Sequence, residues 1–441
     1  MSQPYRDWSR KKLDYESPQK VLRNLIQHSR LTPMAVEVPT VQALGLRLAE
    51  DIIAPQDRPP WDLSHVDGYA VRTGDLERHE CLSIAKGVDP RAAHVYEMKP
   101  GEAVYVDTGF PLPRGADAVV PVENTVLDRN DSCVRVPRVK KGENVIPRGV
   151  EYRRGQVLAR RGERLTGAHA RLLLDAGFPR VKVFRRARVV LIPVGDELSP
   201  PPLEGDAAPP EGRVWESSTI MVRGLLSHLP VEVKITGIVG DRPGDIVSAV
   251  REALEEGPDL VATIGGVSVG RKDQTWLALK EALEPRYYYR GIRVVQGRVN
   301  SGMALEGAVV LNLPGFVQST FTGTMLFLAP LVNWLTGGPL NPGVPCWRAR
   351  LAKPVEVASR RDFYRMRFAY PSGDDPLSIV IEPHVESSMA LPLTRSLGFV
   401  VIPPGRVRLE EGEEVTVYDH LHRRGRLDCG EWPFSPEVVE G

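Results

Sequence analysis

Between residues 187 and 340 short apolar runs alternate with helical patterns, and no other feature narrows the fold as much. The segment "ARVVLIPVGDEL" is a continuous apolar run ending in glycine and acids, and "STIMVRGLLSHL" has helical spacing. "VEVKITGIVGD", "DLVATIGG" and "GAVVLNLPG" read as further strands. The helical stretches "GDIVSAVREALEEG" and "QTWLALKEAL" separate them, and "FTGTMLFLAPLVNWL" follows. Parallel strands need crossover connections, and helices supply these while covering both faces of the sheet. The alternation therefore predicts an α/β domain with a mostly parallel sheet.

The flanks follow a different grammar. Residues 17–30, "SPQKVLRNLIQHSR", place a cap-like Ser17 and a first-turn Pro18 before Val21, Leu22, Leu25 and Ile26 on one face, which predicts an amphipathic helix. Residues 40–54 lead into a Pro-rich region. Between about 60 and 150, β-prone runs such as "EAVYVDTGF" and "DAVVPVENTV" predict a small β module. "TGAHARLLLDAGF" (166–178) reads as a helix. After residue 345 the β pattern returns in "DFYRMRFAY", "SIVIEPHV", "GFVVIPPG" and "EEVTVYDHL", ahead of a polar tail after residue 424 that is expected to fray. A chain of 441 residues needs several cores to bury this much sequence.

Composition bounds the partners. A net charge of +1 carries no electrostatic signature for nucleic acid or a membrane surface. The N-terminus lacks the apolar core of a signal peptide, and the most apolar run is short and contains proline, so a cytoplasmic protein without a membrane span is expected. Cys81, Cys133, Cys346 and Cys429 lie far apart with no CxxC, which indicates neither a disulfide framework nor a zinc site. His420 and His422 sit beside Arg-rich sequence and read as surface residues.

Ligands of open α/β sheets bind outside the carboxyl ends of the strands. Four such ends carry suggestive residues: "GDEL" (195–198), Gly240 with Asp241, "GGVSVGRKD" (265–273) and "LPG" (313–315). Glu197 beside Asp196, Asp241 and Asp273 would repel one another unless a cation sat among them, and a hard divalent ion such as Mg²⁺ supplies it. Gly265, Gly266 and Gly270 would let backbone N–H groups approach a phosphate, and Ser268 could add a hydroxyl. The loop is neither a Walker A motif nor a dinucleotide fingerprint. Taken singly, each motif is accounted for by an ordinary βα turn or a helix cap; four on one edge point to a site for a phosphorylated ligand. In the β module, a hairpin turn accounts for Asp67 and Gly68.

Together these segments resemble the molybdopterin molybdenumtransferase family, called MoeA in bacteria and represented by the E domain of gephyrin in animals. The resemblance runs from about residue 17 to 420. "LRLAEDIIAPQDRPPWDLSHVDGYAVR" is similar to the family's DGYAV line, "DTGFPLPRGADAVVPVENT" to its TG and GADAVV line, "VVLIPVGDEL" to TGDEL and "GGVSVGRKD" to GGVSVG..D. "SRRDFYRMRF" and "SLGFVVIPPG" look like lines of its C-terminal β domain. The resemblance implies α/β plus β modules in an elongated multidomain protomer. Its parts would be a linker domain (16–58 and 149–186), an inserted β domain (59–148), a MogA-like α/β molybdopterin-binding domain (187–340), a C-terminal β-barrel (341–424) and a tail (425–441). It also implies a homodimer whose site lies between the α/β domain of one subunit and the first two domains of the other. The implied reaction ligates molybdate or tungstate to adenylylated molybdopterin, delivered by its adenylyltransferase, with Mg²⁺-dependent release of AMP.

Carried over by position, Asp67, Thr108, Glu197, Asp241 and Asp273 would be catalytic, with Glu197, Asp241 and Asp273 on the metal. Gly265, Gly266, Ser268, Gly270, Ser217, Arg298, Pro314, Gly315 and Glu151 would bind substrate. Several lines depart from the family. The "DSN" triplet is Glu216, Ser217 and Ser218; "KPGKP" becomes "VQGRV" (295–299), leaving Arg298 as its cation; "LPGNPVS" becomes "LPGFVQS"; and the aspartate of "GEDI" is Glu151. Arg271 and Lys272 stand where acidic or small residues are common; they would also bind substrate, and could restore the positive charge lost at "KPGKP". Two readings follow: an active enzyme with an altered anion pocket, or an impaired paralogue that binds the pterin as a scaffold or carrier.

Overall fold

The computed structural model describes residues 15–205, 208–266, 274–357, 362–381, 387–423 and 432–435. The chain divides into two compact units, one of Met1–Val36, Gly45–Ala49 and Lys182–Gly441, the other of Glu37–Leu44 and Glu50–Val181.

The first unit is built on a six-stranded sheet of β1 (Ala187–Pro193), β2 (Val231–Ile235), β3 (Leu260–Ile264), β4 (Tyr287–Arg290), β5 (Ser301–Leu305) and β6 (Ala308–Leu313) in the order β2-β1-β3-β6-β5-β4. Strands β2, β1, β3 and β6 are parallel, while β5 runs antiparallel to both its neighbours. The mostly parallel sheet expected from the sequence is therefore present. Its antiparallel hairpin, β4 and β5, went unseen because "YYYR" and "SGMAL" are short and flank a turn-rich stretch.

Both faces of the sheet are covered, which is why β1 reads as an unbroken apolar run. Val189 and Leu191 join a core with Val21, Leu22 and Leu25 of helix α1 (Pro18–Ser29) and with Val222 and Leu226 of α2 (Ser218–Leu226). Val190 and Ile192 pack instead against Ile246 and Val250 of α3 (Pro243–Glu255) and Leu279 of α4 (Gln274–Leu283). Helix α1 has the caps its sequence announced. The Ser17 side chain accepts from the Lys20 N–H, Pro18 opens the first turn, and Arg30 closes the helix at φ 57°. The helical segment after β6 runs as α5 (Val317–Gly323), a π-helical turn (Thr324–Leu328) and α6 (Ala329–Leu335). Pro330, which has no N–H to donate, is the second residue of α6, just past the π turn.

Beyond the sheet, β7 (Cys346–Leu351), β8 (Arg365–Ser372), β9 (Asp375–Ile381), β10 (Gly398–Ile402) and β11 (Glu414–Tyr418) close a barrel in the order β7-β9-β8-β10-β11. Trp347, Ala369, Ile379, Val400 and Val417 fill it. Helix α7 (Leu391–Arg395) precedes β10. Two expectations fail here. The polar tail is not all frayed, since Trp432 and Phe434 are buried in the main core and Phe434 packs on Tyr364 at 4.8 Å. His420 is buried rather than on the surface; its Nε2 lies 2.8 Å from the Leu393 carbonyl, and burial holds its pKa down.

The second unit carries the expected β module as a six-stranded sheet. Its strands are, in spatial order, Ala118–Pro121, Gly68–Val71, Glu102–Val106, Leu82–Ile84, Cys133–Arg135 and Val126–Leu127. Helix Gly167–Asp175 is capped by Thr166 and His169 in a reciprocal capping box. Cys81 and Cys133 form a disulfide at a Cα separation of 5.8 Å, and Cys346 is disulfide-bonded too, so the expectation of no disulfide framework is wrong. Spacing along the sequence hid the bond, because the two cysteines come together only through the pairing of Leu82–Ile84 with Cys133–Arg135. Among the described residues no helix is long and apolar enough to cross a membrane.

The bond spans 52 residues. Replacing both cysteines, Cys81→Ala with Cys133→Ala, should lower stability by roughly 2–4 kcal/mol through the loop entropy returned to the unfolded chain. Denaturant unfolding under oxidising conditions checks this: the variant's midpoint should fall below that of wild type, and an unchanged midpoint would contradict it.

Candidate functional site

The carboxyl edge of the sheet is assembled by backbone contacts between neighbouring turns. Val194 extends β1 by a bridge to Val239, and the Gly195 N–H donates to the Val239 carbonyl at 3.0 Å. The Asp241 N–H donates to Asp196 Oδ1 at 3.1 Å, so Asp196 ties the "GDEL" turn to the Gly240–Asp241 turn. Glu197 folds back over its own turn: a Cβ added at Gly195 would stand 2.7 Å from Glu197 Oε2. The Gly265 N–H reaches the Leu313 carbonyl at 2.9 Å, and Gly315 packs on Gly265. Glu197, Asp241, Gly265, Gly266, Pro314 and Gly315 thus share one edge, as the sequence predicted. Ser268, Gly270, Arg271, Lys272 and Asp273 lie outside the described residues.

Gly265 explains why the strand must end in glycine. Its φ is +102°, and a Cβ there would lie 2.0 Å from the Val194 carbonyl oxygen. Just below this edge a buried polar chain crosses three strands: Thr263 Oγ1 donates to Asn312 Oδ1 at 2.9 Å, and Asn312 Nδ2 donates to Ser301 Oγ at 3.4 Å. Such groups are costly to bury unless paired, so the chain of bonds fixes the register where the turns leave the sheet.

The remaining predicted residues fall into place unevenly. Ser217 is the N-cap position of α2, but its hydroxyl makes no capping bond. The buried Glu216 takes that role instead, accepting from the Thr219 N–H at 2.9 Å and Oγ1 at 2.6 Å. Arg298 is exposed on the 291–300 loop, which leaves β4 at the same edge. A cleft of about 630 Å³ runs along α2, lined by Ser217, Ser218, Met221, Leu225, Leu393 and His422 among others. Asp196, Glu197 and Asp241 offer hard carboxylate oxygens, the donor type Mg²⁺ selects. Among the described residues, however, no three potential ligands cluster, so a complete shell would need Asp273, water or substrate oxygens.

In the second unit, Asp67 and Thr108 are joined directly. Asp67 Oδ1 accepts from the Thr108 backbone N–H at 2.6 Å and from its hydroxyl at 2.8 Å. These two bonds, the backbone one foremost, hold the exposed Asp67 carboxyl below its ordinary pKa. Asp67 and Gly68 are not a hairpin turn, as expected, but the entry to a central strand. Gly68 faces Val106 on one side and Pro121 on the other, and a Cβ on it would lie 2.0 Å from the Val120 carbonyl oxygen. Tyr105 stands edge-on to Tyr69 at 5.6 Å; burial, then Asp107, raises its pKa, a neighbour the sequence reading missed. Glu151 pairs with Arg58 at 3.7 Å, and no described bond joins it to Asp67.

Gly265→Ala should cost roughly 3 kcal/mol, the scale of a strained backbone that cannot relax. Thermal unfolding of the variant should show the loss; an unchanged midpoint would mean that the Val194 contact does not hold the edge.

Comparison with known proteins agrees with this architecture. Residues 16–177 match a family model described as the MoeA N-terminal region (domain I and II), 190–334 a probable molybdopterin binding domain, and 348–420 the MoeA C-terminal region (domain IV). A molybdopterin molybdenumtransferase of Haemophilus influenzae is 28% identical over 392 residues, covering 88% of this chain and 95% of that protein. One of Staphylococcus aureus is 31% identical over 325 residues, covering 73% and 76%. The crystal structure of a molybdopterin biosynthesis MoeA protein from Pyrococcus horikoshii superimposes with a TM-score of 0.74 at 28% identity, covering 92% of this chain and 99% of that one. With three family regions in order along one chain and relatives aligned over most of their length, this protein belongs to the molybdopterin molybdenumtransferase family.

Proposed function

We propose that the chain performs the metal-insertion step of molybdenum cofactor assembly, ligating molybdate to the dithiolene sulfurs of adenylylated molybdopterin with release of AMP. The observation that carries this reading is the single sheet edge on which Gly265, Gly266, Pro314 and Gly315 meet Glu197 and Asp241. Backbone N–H groups of the glycine turns receive phosphate oxygens, and the uncommitted Ser217 hydroxyl adds a donor. Glu197, Asp241 and Asp273 would hold Mg²⁺, which supplies charge neutralisation at the diphosphate as AMP departs. The Asp67–Thr108 pair, contributed by the second subunit of a homodimer, orients the oxyanion at the dithiolene. Tungstate, of similar size and charge, is handled by the same groups. The protein would act in the cytoplasm, receiving the pterin from its adenylyltransferase. The scaffold alternative gains no support, because the relatives aligned over most of the chain are named as transferases.

The test is AMP release from adenylylated molybdopterin in the presence of molybdate and Mg²⁺. Wild-type protein should release AMP, and Asp67→Asn should be slower by roughly 100-fold, the scale of a lost positioned carboxylate. Retained pterin binding with no AMP release by wild type would overturn the reading. The pH profile gives a second handle. Asp67 has a lowered pKa, so it stays charged above the acid range and is lost only as pH falls. Thr108→Val removes one of the two donors, and the acid limb of kcat/KM should move to higher pH.

A further inference from the structure

Residues 308–333 run through the core of the first unit as β6, α5, the π turn and the start of α6, and nearly all of them are buried. Gly315 and Phe316 are the exceptions: both are exposed, with Val317 half-buried beside them. Phe316 is 63% exposed, although burying a phenyl ring is among the most favourable contributions a side chain makes.

The backbone under this ring is pinned. The Phe316 carbonyl accepts from the Ser319 and Thr320 N–H groups, each at 2.9 Å, and from the Thr320 hydroxyl at 3.2 Å. The same hydroxyl donates to the Pro314 carbonyl, so the fully buried Thr320 ties down the turn on both sides of Gly315. Gly315 in turn packs on Gly265, whose N–H donates to the Leu313 carbonyl at 2.9 Å. Apolar neighbours stand close by. Gln318, two residues after Phe316, donates its N–H to the Ser387 carbonyl at 3.0 Å and its Nε2 to the Met389 carbonyl at 3.3 Å. Met389 is 50% exposed and Leu391 is 55% exposed. A single exposed apolar side chain needs no explanation, but an aromatic ring held beside the glycine turns of the carboxyl edge does.

We propose that Phe316 is a stacking platform for a planar heterocycle of the substrate whose phosphate the glycine edge receives. The platform deepens the functional reading above and rests on it. Consecutive Cα atoms are about 3.8 Å apart, so a phosphate at the Gly315 N–H lies within one residue of the phenyl group. A heterocycle joined to that phosphate by a sugar-sized spacer then reaches the phenyl face. Stacking is tolerant of which heterocycle it holds, because each offers a π-face. Both ring systems of adenylylated molybdopterin, the pterin and the adenine, share this chemistry. The resembling family line, "LPGNPVS", carries Asn where "LPGFVQS" carries Phe316, so this chain exchanges a hydrogen-bonding amide for a stacking face.

The test is equilibrium binding of AMP and of molybdopterin, each titrated separately into the full-length protein without turnover, so its outcome is separate from that of the AMP-release assay. Wild type should bind at least one of them. Phe316→Ala and Phe316→Leu should both weaken that binding by roughly tenfold, the scale of one base–aromatic stack, while Phe316→Tyr should stay within about threefold of wild type. The side chain is mostly exposed, so all three variants should melt like wild type. A loss confined to AMP identifies adenine as the stacked ring, a loss confined to molybdopterin identifies the pterin, and a loss of both shows a platform that either ring uses. Wild-type affinity in Phe316→Leu would reduce the contact to plain apolar burial and overturn the proposal. Unchanged affinity in Phe316→Ala, an equal loss in Phe316→Tyr, or no binding of either compound by wild type would overturn it too. Absence of AMP release with this stacking pattern intact would sink the functional reading alone.

Discussion

The carboxyl edge of the sheet in the first unit depends on one close approach, the Gly265 backbone against the Val194 carbonyl oxygen. Without it the turns that follow β1 and β3 would splay apart. With it, the Asp196 clamp, the Gly265 bond to Leu313 and the Gly315 contact fall on a single edge. Parallel pairing of β1, β3 and β6 aims every one of these turns in the same direction. The buried Thr263–Asn312–Ser301 chain then fixes how far each strand advances before it turns. Register, in this molecule, is what brings three separate loops onto one edge.

The second unit solves a comparable problem by different means. Gly68 lets two neighbouring strands close on the chain at the point where Asp67 emerges. Asp67 is then fixed from both the backbone and the side chain of Thr108, so its charge and direction are set together. The disulfide of Cys81 and Cys133 holds the far strands of the same sheet. Each unit thus presents an acid at a strand end, but one does so through parallel crossovers and the other through a cross-linked sheet.

Much of this was legible in the sequence for a physical reason. Strands buried on both faces must be apolar throughout, so β1, β3 and β6 announced themselves, and the glycines and acids after them marked the edge. The caps of α1 were equally plain. What escaped depended on pairing between distant segments. The disulfide, the burial of His420 and the packing of Trp432 and Phe434 arise only when strands far apart in sequence meet. Asp67 and Gly68 looked like a turn because Asp-Gly is a favoured turn pair, yet Gly68 is required by the Val120 carbonyl rather than by a reversal of the chain. The arginines of β8 were visible only as one line of a resemblance; that both are buried, and that Gln296 lies against Arg367, follows from tertiary packing.

Two places could receive a pterin: the glycine-rich sheet edge and the cleft along α2 with its serines and histidines. A crystal structure of the protein soaked with molybdopterin separates them directly. The account predicts the pterin phosphate within hydrogen-bond distance of the backbone N–H groups at Gly265, Gly266 or Gly315. Pterin density confined to the far end of the cleft near His228 and His422, with the glycine edge untouched, would contradict it.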